Sequence, residues 1–180
     1  MNSKGKILLW SSNLWNFGDG MLGPLFAVFA EKIGGNILDI AWAWAAYLVS
    51  TGVFVIVVGN ISDKFSKEKI VVLGFGLNAV LTFCYLLISS PAQLLMLQIG
   101  LGLAVALANP TWYALYAQYS PHKAAGYHWG LADGEARILA GLAVILGGLI
   151  VEFISFQALF ILMGTIQIIA TFHQAQILKK

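Results

Sequence analysis

The chain has 180 residues, 59% of them hydrophobic and 10% charged, with a formal net charge of +2. Soluble domains carry roughly 25% charged residues and must show much of their surface to water, so this composition excludes a water-soluble globule and makes lipid the solvent of most of the chain. The small net charge argues against nucleic acid as a partner, and the single cysteine, Cys84, excludes an internal disulfide and reads as a small buried residue.

A helix needs about 20 largely apolar residues to cross a bilayer. Six segments qualify, near residues 7–30, 38–60, 70–89, 92–117, 128–153 and 156–177. Their long apolar runs do not alternate as barrel strands would, and lipid offers free backbone groups no partner, so the fold class is an all-α membrane protein of six transmembrane helices in one domain. The connections are short: "EKIGGNILD", "SDKFSKEK", "SSPAQ", "YSPHKAAGY" and "EFIS". They leave no room for a soluble domain.

The first segment begins like a secretory signal, with Lys4 and Lys6 ahead of an apolar run and "VFA" before Glu31. Asn13, Asn16, Asp19 and Pro24 interrupt that run, so it reads as a retained helix. Asn13, Asn16 and Asp19 recur every third residue and share one stripe. Asp19 lies ~18 Å of helical rise beyond Lys6, near the midplane of the bilayer or just past it. Gly18, Gly20, Gly23 and Pro24 surround it, a composition that can loosen a helix and free backbone groups for a solute. A carboxylate at that depth is costly, which points to Asp19 as a ligand of substrate or of a coupling cation. The alternative is a structural bond to a neighbouring helix.

The second segment opens with Trp42, Trp44 and Tyr47, read as anchors at the outer membrane surface. It ends in "GNISDKFSKEK", residues 59–69, which holds five of the chain's eighteen charged side chains. Gly59 would let two helices approach closely. Asp63 could meet the positive end of a neighbouring helix, and Lys64, Lys67 and Lys69 would face anionic lipid heads. The alternative is a solvated loop that only sets topology.

In the fourth segment, Gln98 sits in a cavity or between helices. Asn109-Pro110 marks a kink, with Asn109 more suited to satisfying backbone near the kink than to reaching a solute. Trp112, Tyr113, Tyr116 and Tyr119 read as interfacial anchors rather than a binding cage. In the fifth segment, Asp133 and Arg137 are four apart and can pair on one face, with Glu135 on another side. That pair is either structural or a site where Arg137 binds an anionic substrate.

With the N-terminus inside, Lys4, Lys6, Lys64, Lys67, Lys69, Lys123, Lys179 and Lys180 fall on the cytoplasmic side and only Lys32 outside, a strong positive-inside bias that puts both termini in the cytoplasm. The halves echo each other weakly: Gly59 and Asp63 stand 89 residues before Gly148 and Glu152, and Pro24 stands 86 before Pro110. Three segments per unit makes this a 3+3 inverted repeat, an arrangement common in secondary transporters.

The loop 59–69 resembles the loop between the second and third spans of the major facilitator superfamily. That pattern is Gly, three residues, Asp, a basic residue, one residue, Gly, then two basic residues. Gly59, Asp63, Lys64 and Lys67 match it, whereas Ser66 replaces the second Gly and Glu68 a basic residue. "GLGLAVALANPTWYALYAQY" is similar to the family's fourth span and "GYHWGLADGEARILAGLAVILGG" to its fifth. The resemblance covers nearly the whole chain, as the N-terminal six spans of a usual twelve. It implies secondary active transport of a small solute across the cell membrane by alternating access. It also implies a first span that lines the central cavity and an Asp63 that latches two halves during gating. Gln98 stands where the family's proton-driven drug antiporters carry arginine, and Ala143-Val144 where they carry Gly-Pro, so the resemblance does not extend to drug–proton exchange.

The partners this implies are the lipid bilayer, a small-molecule substrate and a second six-helix half. That half would be supplied by a continuation of the same chain, a second polypeptide or a second copy. No cofactor and no metal is expected, since the three histidines (His122, His128, His173) are scattered and no phosphate-cradling glycine loop occurs. No nucleophile–base set suggests an enzyme. Two other readings are a six-span substrate-binding subunit of a larger importer and a non-transporting membrane scaffold.

Overall fold

The computed structural model describes residues 2–121 and 123–179. Among these it contains α-helices and no strand: α1 (Ser3–Gly20), α2 (Leu25–Lys32), α3 (Ile37–Ser62), α4 (Lys67–Cys84), α5 (Pro91–Tyr119), α6 (Ala125–Phe153) and α7 (Phe156–Ala175). Short 3₁₀ turns at Tyr85–Leu87 and Gln176–Leu178 prolong α4 and α7. The ends follow local chemistry. The Asn2 side chain accepts from the Gly5 backbone N–H at 2.9 Å and starts α1. Asn36 and Asp39 form a reciprocal capping box at the start of α3. Ser90 caps α5, with Pro91 at its first position, where a missing N–H costs nothing.

Among the described residues, five helices are long and apolar enough to cross a membrane: α3, α5, α6, and α4 and α7 with their added turns. The segment 7–30, expected as one helix, is divided. The α-helical ladder lapses over Met21–Pro24, although Met21 and Pro24 keep right-handed helical dihedrals, so the chain loosens without reversing. The cause is Pro24, which has no N–H to offer the Gly20 carbonyl, set among glycines that stiffen nothing. The proline in α5 acts differently. Pro110 lies inside an unbroken helix, and the Thr111 hydroxyl donates to the carbonyls of Leu107 (2.7 Å) and Ala108 (2.9 Å) in the turn before it. Thr111, not Asn109, makes side-chain bonds to the backbone there.

The helices pack in an order that doubles back on itself. α4 and α7 lie against each other; α5 packs on α4 and α1 on α7; α3 lies outside α5 and α6 outside α1; α1 and α5 also touch. Small residues set the closest approaches. A Cβ on Gly74 of α4 would stand 2.7 Å from the Ala108 nitrogen and 2.9 Å from the Ala104 oxygen of α5. A Cβ on Gly147 of α6 would overlap the Met21 carbonyl oxygen, at the lapse between α1 and α2. Two apolar clusters fill the interior, one around Met21, Phe29, Tyr85, Leu94 and Phe160, the other around Leu8, Phe75, Trp112, Leu115 and Tyr116.

Burial is uneven. The most apolar stretches of α4, α5 and α7 are 39%, 44% and 39% buried, those of α3 and α6 only 6% and 17%, so α3 and α6 are the flanks. At one end of the bundle the Asn2 N–H donates to the Tyr119 carbonyl, Lys4 lies over the Tyr119 ring, and the Tyr119 hydroxyl donates to Glu68 Oε1 at 2.9 Å. The beginnings of α1 and α4 and the end of α5 therefore meet there, together with the loop lysines. Lys32 lies at the other end, over Phe156 at the start of α7.

Candidate functional site

Two crevices run along α1 and α5, one toward each end of the bundle. The first, of about 330 Å³, lies nearer the lysine-rich end and is lined by α1, α5 and α6 with Phe75 of α4. Its polar lining is Ser12, Asn16, Asn109 and Asp133. Its apolar wall is aromatic: Trp112 stacks on Tyr116 with centroids 4.7 Å apart, and Trp129 meets Tyr116 edge-on at 5.0 Å. Trp112 and Tyr116 are 9% and 0% exposed, so these two are interior residues and not the surface anchors that their position suggested. The Tyr116 hydroxyl donates to the His128 carbonyl at 2.8 Å, and the Trp112 indole donates to the Leu8 carbonyl at 3.1 Å. Those bonds satisfy the polar tips and let large rings sit inside an apolar bundle.

The second crevice, of about 170 Å³, lies nearer the opposite end, lined mainly by the α1–α2 junction, α3, α4 and α5. Asp19, Gly20 and Gly23 form one side of it; Trp44, Tyr47, Tyr85 and Gln98 are among the residues opposite. Trp44 packs against Phe26 and Tyr47 at 5.7 and 5.5 Å. Tyr47 and Trp44, expected as membrane anchors, thus line a crevice, while Trp42 is exposed. Among the described residues no Lys, Arg or His lines this crevice, and Asp19 has no cationic partner.

The candidate residues divide between these places. Asn16 and Asp19 sit on one stripe of α1 but in different crevices, separated by ~4.5 Å of helical rise. Gln98 is 3% exposed and lines the second crevice, where its Oε1 accepts from the Tyr85 hydroxyl at 3.5 Å. Asn109 and Asp133 line the first. Asn13 lines neither. It is 5% exposed, and its Nδ2 donates to Glu135 Oε2 at 2.6 Å, bonding α1 to α6. Asp133 and Arg137 form the ion pair their spacing suggested, at 2.8 Å, but on an exposed face, and Arg137 lines no crevice.

In the charged loop, Asp63 pairs with Lys67 of the first turn of α4 at 2.9 Å. Lys64 is exposed. The close helix approach expected at Gly59 does not occur within this chain: a Cβ there would meet nothing within 4 Å.

Sequence reasoning missed a buried polar group at the centre. Asn78 Nδ2 donates to Gln167 Oε1, and the Thr82 hydroxyl donates to the same oxygen at 2.9 Å, joining α4 to α7. Asn78 and Thr82 also line the second crevice. The signal was available, since Asn78 and Thr82 are four apart and Gln167 interrupts an apolar run, a pattern that calls for a partner in lipid. Glu135 stands apart from the Asp133–Arg137 pair, and only the fold brings it to Asn13, 122 residues away.

The chain is 23% identical to an uncharacterised MFS-type transporter of Methanocaldococcus jannaschii over 93% of this chain and 44% of that protein. It is 23% identical to the uncharacterised MFS-type transporter YitZ of Bacillus subtilis over 80% of this chain and 88% of YitZ. It is 23% identical to the multidrug resistance protein MdtG of Dickeya zeae over 86% of this chain and 39% of MdtG. The chain thus spans less than half of the first and third, and most of YitZ. Together with five membrane-length helices, the match of the Major Facilitator Superfamily model to residues 8–177 makes this multi-pass membrane protein a member of that transport family.

Proposed function

We propose that the chain is one wall of a secondary active transporter that moves a small solute across the cell membrane by alternating access. Asn16, Asn109 and Asp133 would line its inner half and Asp19 and Gln98 its outer half. The observation that carries this reading is the pair of crevices placed end to end along α1 and α5. A solute path needs a polar lining reachable in turn from each side, with a barrier between. One helical turn of α1 separates Asn16 from Asp19.

The packing order supports an inverted repeat. If α1–α2, α3 and α4 form one unit and α5, α6 and α7 the other, then α3 on α5 corresponds to α6 on α1, and α4 on α5 to α7 on α1. The crevices correspond as well: one lies beside α6, the other beside α3. On this reading α1 and α2 together make a sixth, broken span. The gathering of lysines at one end supports cytoplasmic termini.

A second six-helix half would cover the flanks. Arg137 and Asp133 have side chains 77% and 66% exposed on a membrane-length helix. Charges facing acyl chains are costly, so a protein partner or a wet cavity beside α6 fits them better than lipid. Asp63 and Gly59 would then act at that junction as a gate. The covering half could be more of the same polypeptide, a second polypeptide or a second copy; the match along most of YitZ shows that a relative of similar extent exists as a separate protein.

The test is reciprocal accessibility. Asn16→Cys and Asp19→Cys are made in a Cys84→Ser background and labelled by a membrane-impermeant thiol reagent in right-side-out and inverted vesicles. Labelling of residue 16 from the cytoplasmic side and residue 19 from the outer side is the expected result. Labelling of both from the same side, unmoved by any gradient, would reject alternating access.

A further inference from the structure

The second crevice has a chemical character that transport alone does not specify. It holds one carboxylate, Asp19, with aromatic rings around it from three other elements: Phe26 of α2, Trp44 and Tyr47 of α3, and Tyr85 beyond α4. Phe26, Trp44 and Tyr47 form a continuous run of ring contacts, and Tyr85 stacks on Phe160 behind the wall at 4.9 Å, which holds its ring in place. Gln98 and Asn78, both almost fully buried, add amide groups that bond a polar tail without adding charge.

From this lining we infer that the solute is an organic cation, an ammonium or substituted ammonium, seated with its charge at Asp19 and its carbon skirt against Trp44 and Tyr47. The inference rests on the transport reading only for calling this ligand the solute; the site itself follows from its lining. Aromatic faces carry negative quadrupole density and attract soft, weakly hydrated cations, and Asp19 and Trp44 are both exposed, so an incoming cation can reach them. An anion would meet the Asp19 charge with no base among the described residues that line the crevice.

A hard metal ion fits poorly as well. It asks for several oxygen ligands, and the described residues hold no group of three His, Cys, Asp or Glu side chains. A sugar or other neutral polyol would use the amides, but would leave the carboxylate uncompensated beside four rings.

The experiment measures equilibrium binding to the intact protein in detergent, with two ammonium probes, choline and benzyltrimethylammonium. The comparison probes are the neutral carbon analogue of choline, 3,3-dimethylbutan-1-ol, and the anionic analogue isethionate. At least one ammonium probe binds at least tenfold more tightly than both comparison probes. Asp19→Asn loses at least tenfold of that affinity. Trp44→Ala loses severalfold and Trp44→Phe retains most of it, since Phe keeps a ring face; Trp44 is 49% exposed, so neither change threatens the fold.

Equal binding of the neutral analogue, preference for isethionate, Asp19→Asn at wild-type affinity, or no ammonium binding at all would overturn the assignment. Flux in proteoliposomes is read separately. Cation binding without flux would keep the site and refute transport by this chain without a second half, whereas flux of a neutral or anionic solute without cation binding would refute the site and keep transport.

Discussion

The bond between Asn13 and Glu135 offers a sharp quantitative test of how α6 is held. A hydrogen bond to a charged group contributes about 1.5–3 kcal/mol in soluble proteins, while interhelical polar pairs in membranes average about 0.6 and reach about 1.7 kcal/mol. Asn13 is 5% exposed and the bond is 2.6 Å long, so water cannot replace a lost partner and the upper part of the membrane range applies. Asn13 Oδ1 already lacks a partner among the described residues. Glu135→Ala therefore strips the amide of its remaining bond and should cost about 2 kcal/mol. Asn13→Ala leaves the carboxylate unpaired against α1, at a similar cost of about 2 kcal/mol. The double variant removes both groups, leaves neither stranded, and should cost about 2.5 kcal/mol, which gives a coupling of about 1.5 kcal/mol. The assay is reversible unfolding of the detergent-solubilised protein by sodium dodecyl sulfate, followed by tryptophan fluorescence for the wild type, both single variants and the double variant. Costs that add to within about 0.3–0.5 kcal/mol would show that the pair does not join the helices and would refute the reasoning.

Other outcomes follow from neighbouring features. Gly147→Ala should destabilise by about 1–3 kcal/mol in the same assay, because its new methyl lies 2.9 Å from the Met21 carbonyl carbon and backbone must move. Gly148→Ala, with nothing within 4 Å of the added Cβ, should be neutral or gain up to about 1 kcal/mol from helix propensity; equal behaviour of the two would disprove the tight contact. Gln167→Ala should lower stability by about 1–3 kcal/mol by stranding the Asn78 amide, while the Thr82 hydroxyl keeps the Asn78 carbonyl as acceptor, and a wild-type unfolding midpoint would count against the central amide–hydroxyl bond set. Asp63→Asn should leave the unfolding midpoint unchanged, because its pair with Lys67 is exposed, while slowing flux if the loop gates; loss of stability without loss of flux would reverse that assignment.

What the sequence made legible was set by lipid. The scarcity of charge identified the medium, and the length of apolar runs located helices, because both depend on composition along a few turns of chain. The pair Asp133–Arg137 and the loosening near Pro24 were readable for the same reason: each is decided by residues within four positions. Burial of the aromatics was not. Trp112 and Tyr116 stand near a helix end, where rings commonly mark the membrane surface, and only the fold brings Trp129 and Leu8 to them. Asn13 with Glu135 and Asn78 with Gln167 were hidden likewise, since the partners lie 122 and 89 residues apart. The division of Asn16 from Asp19 required knowing which helices stand beside each face of α1.

The contact of Gly147 with Met21 bears on how the protein moves. Met21 begins the stretch where α1 gives way to α2, the one place in that element where the angle between two rods can change cheaply. Gly147 presses backbone against backbone at this elbow, with no side chain between them to slide or rotate as a cushion. A swing of α2 would therefore push on α6, which walls the first crevice. If the chain works by the proposed alternating access, the elbow and the flank would form a rocker in miniature, in which opening at one crevice is transmitted as force on the other.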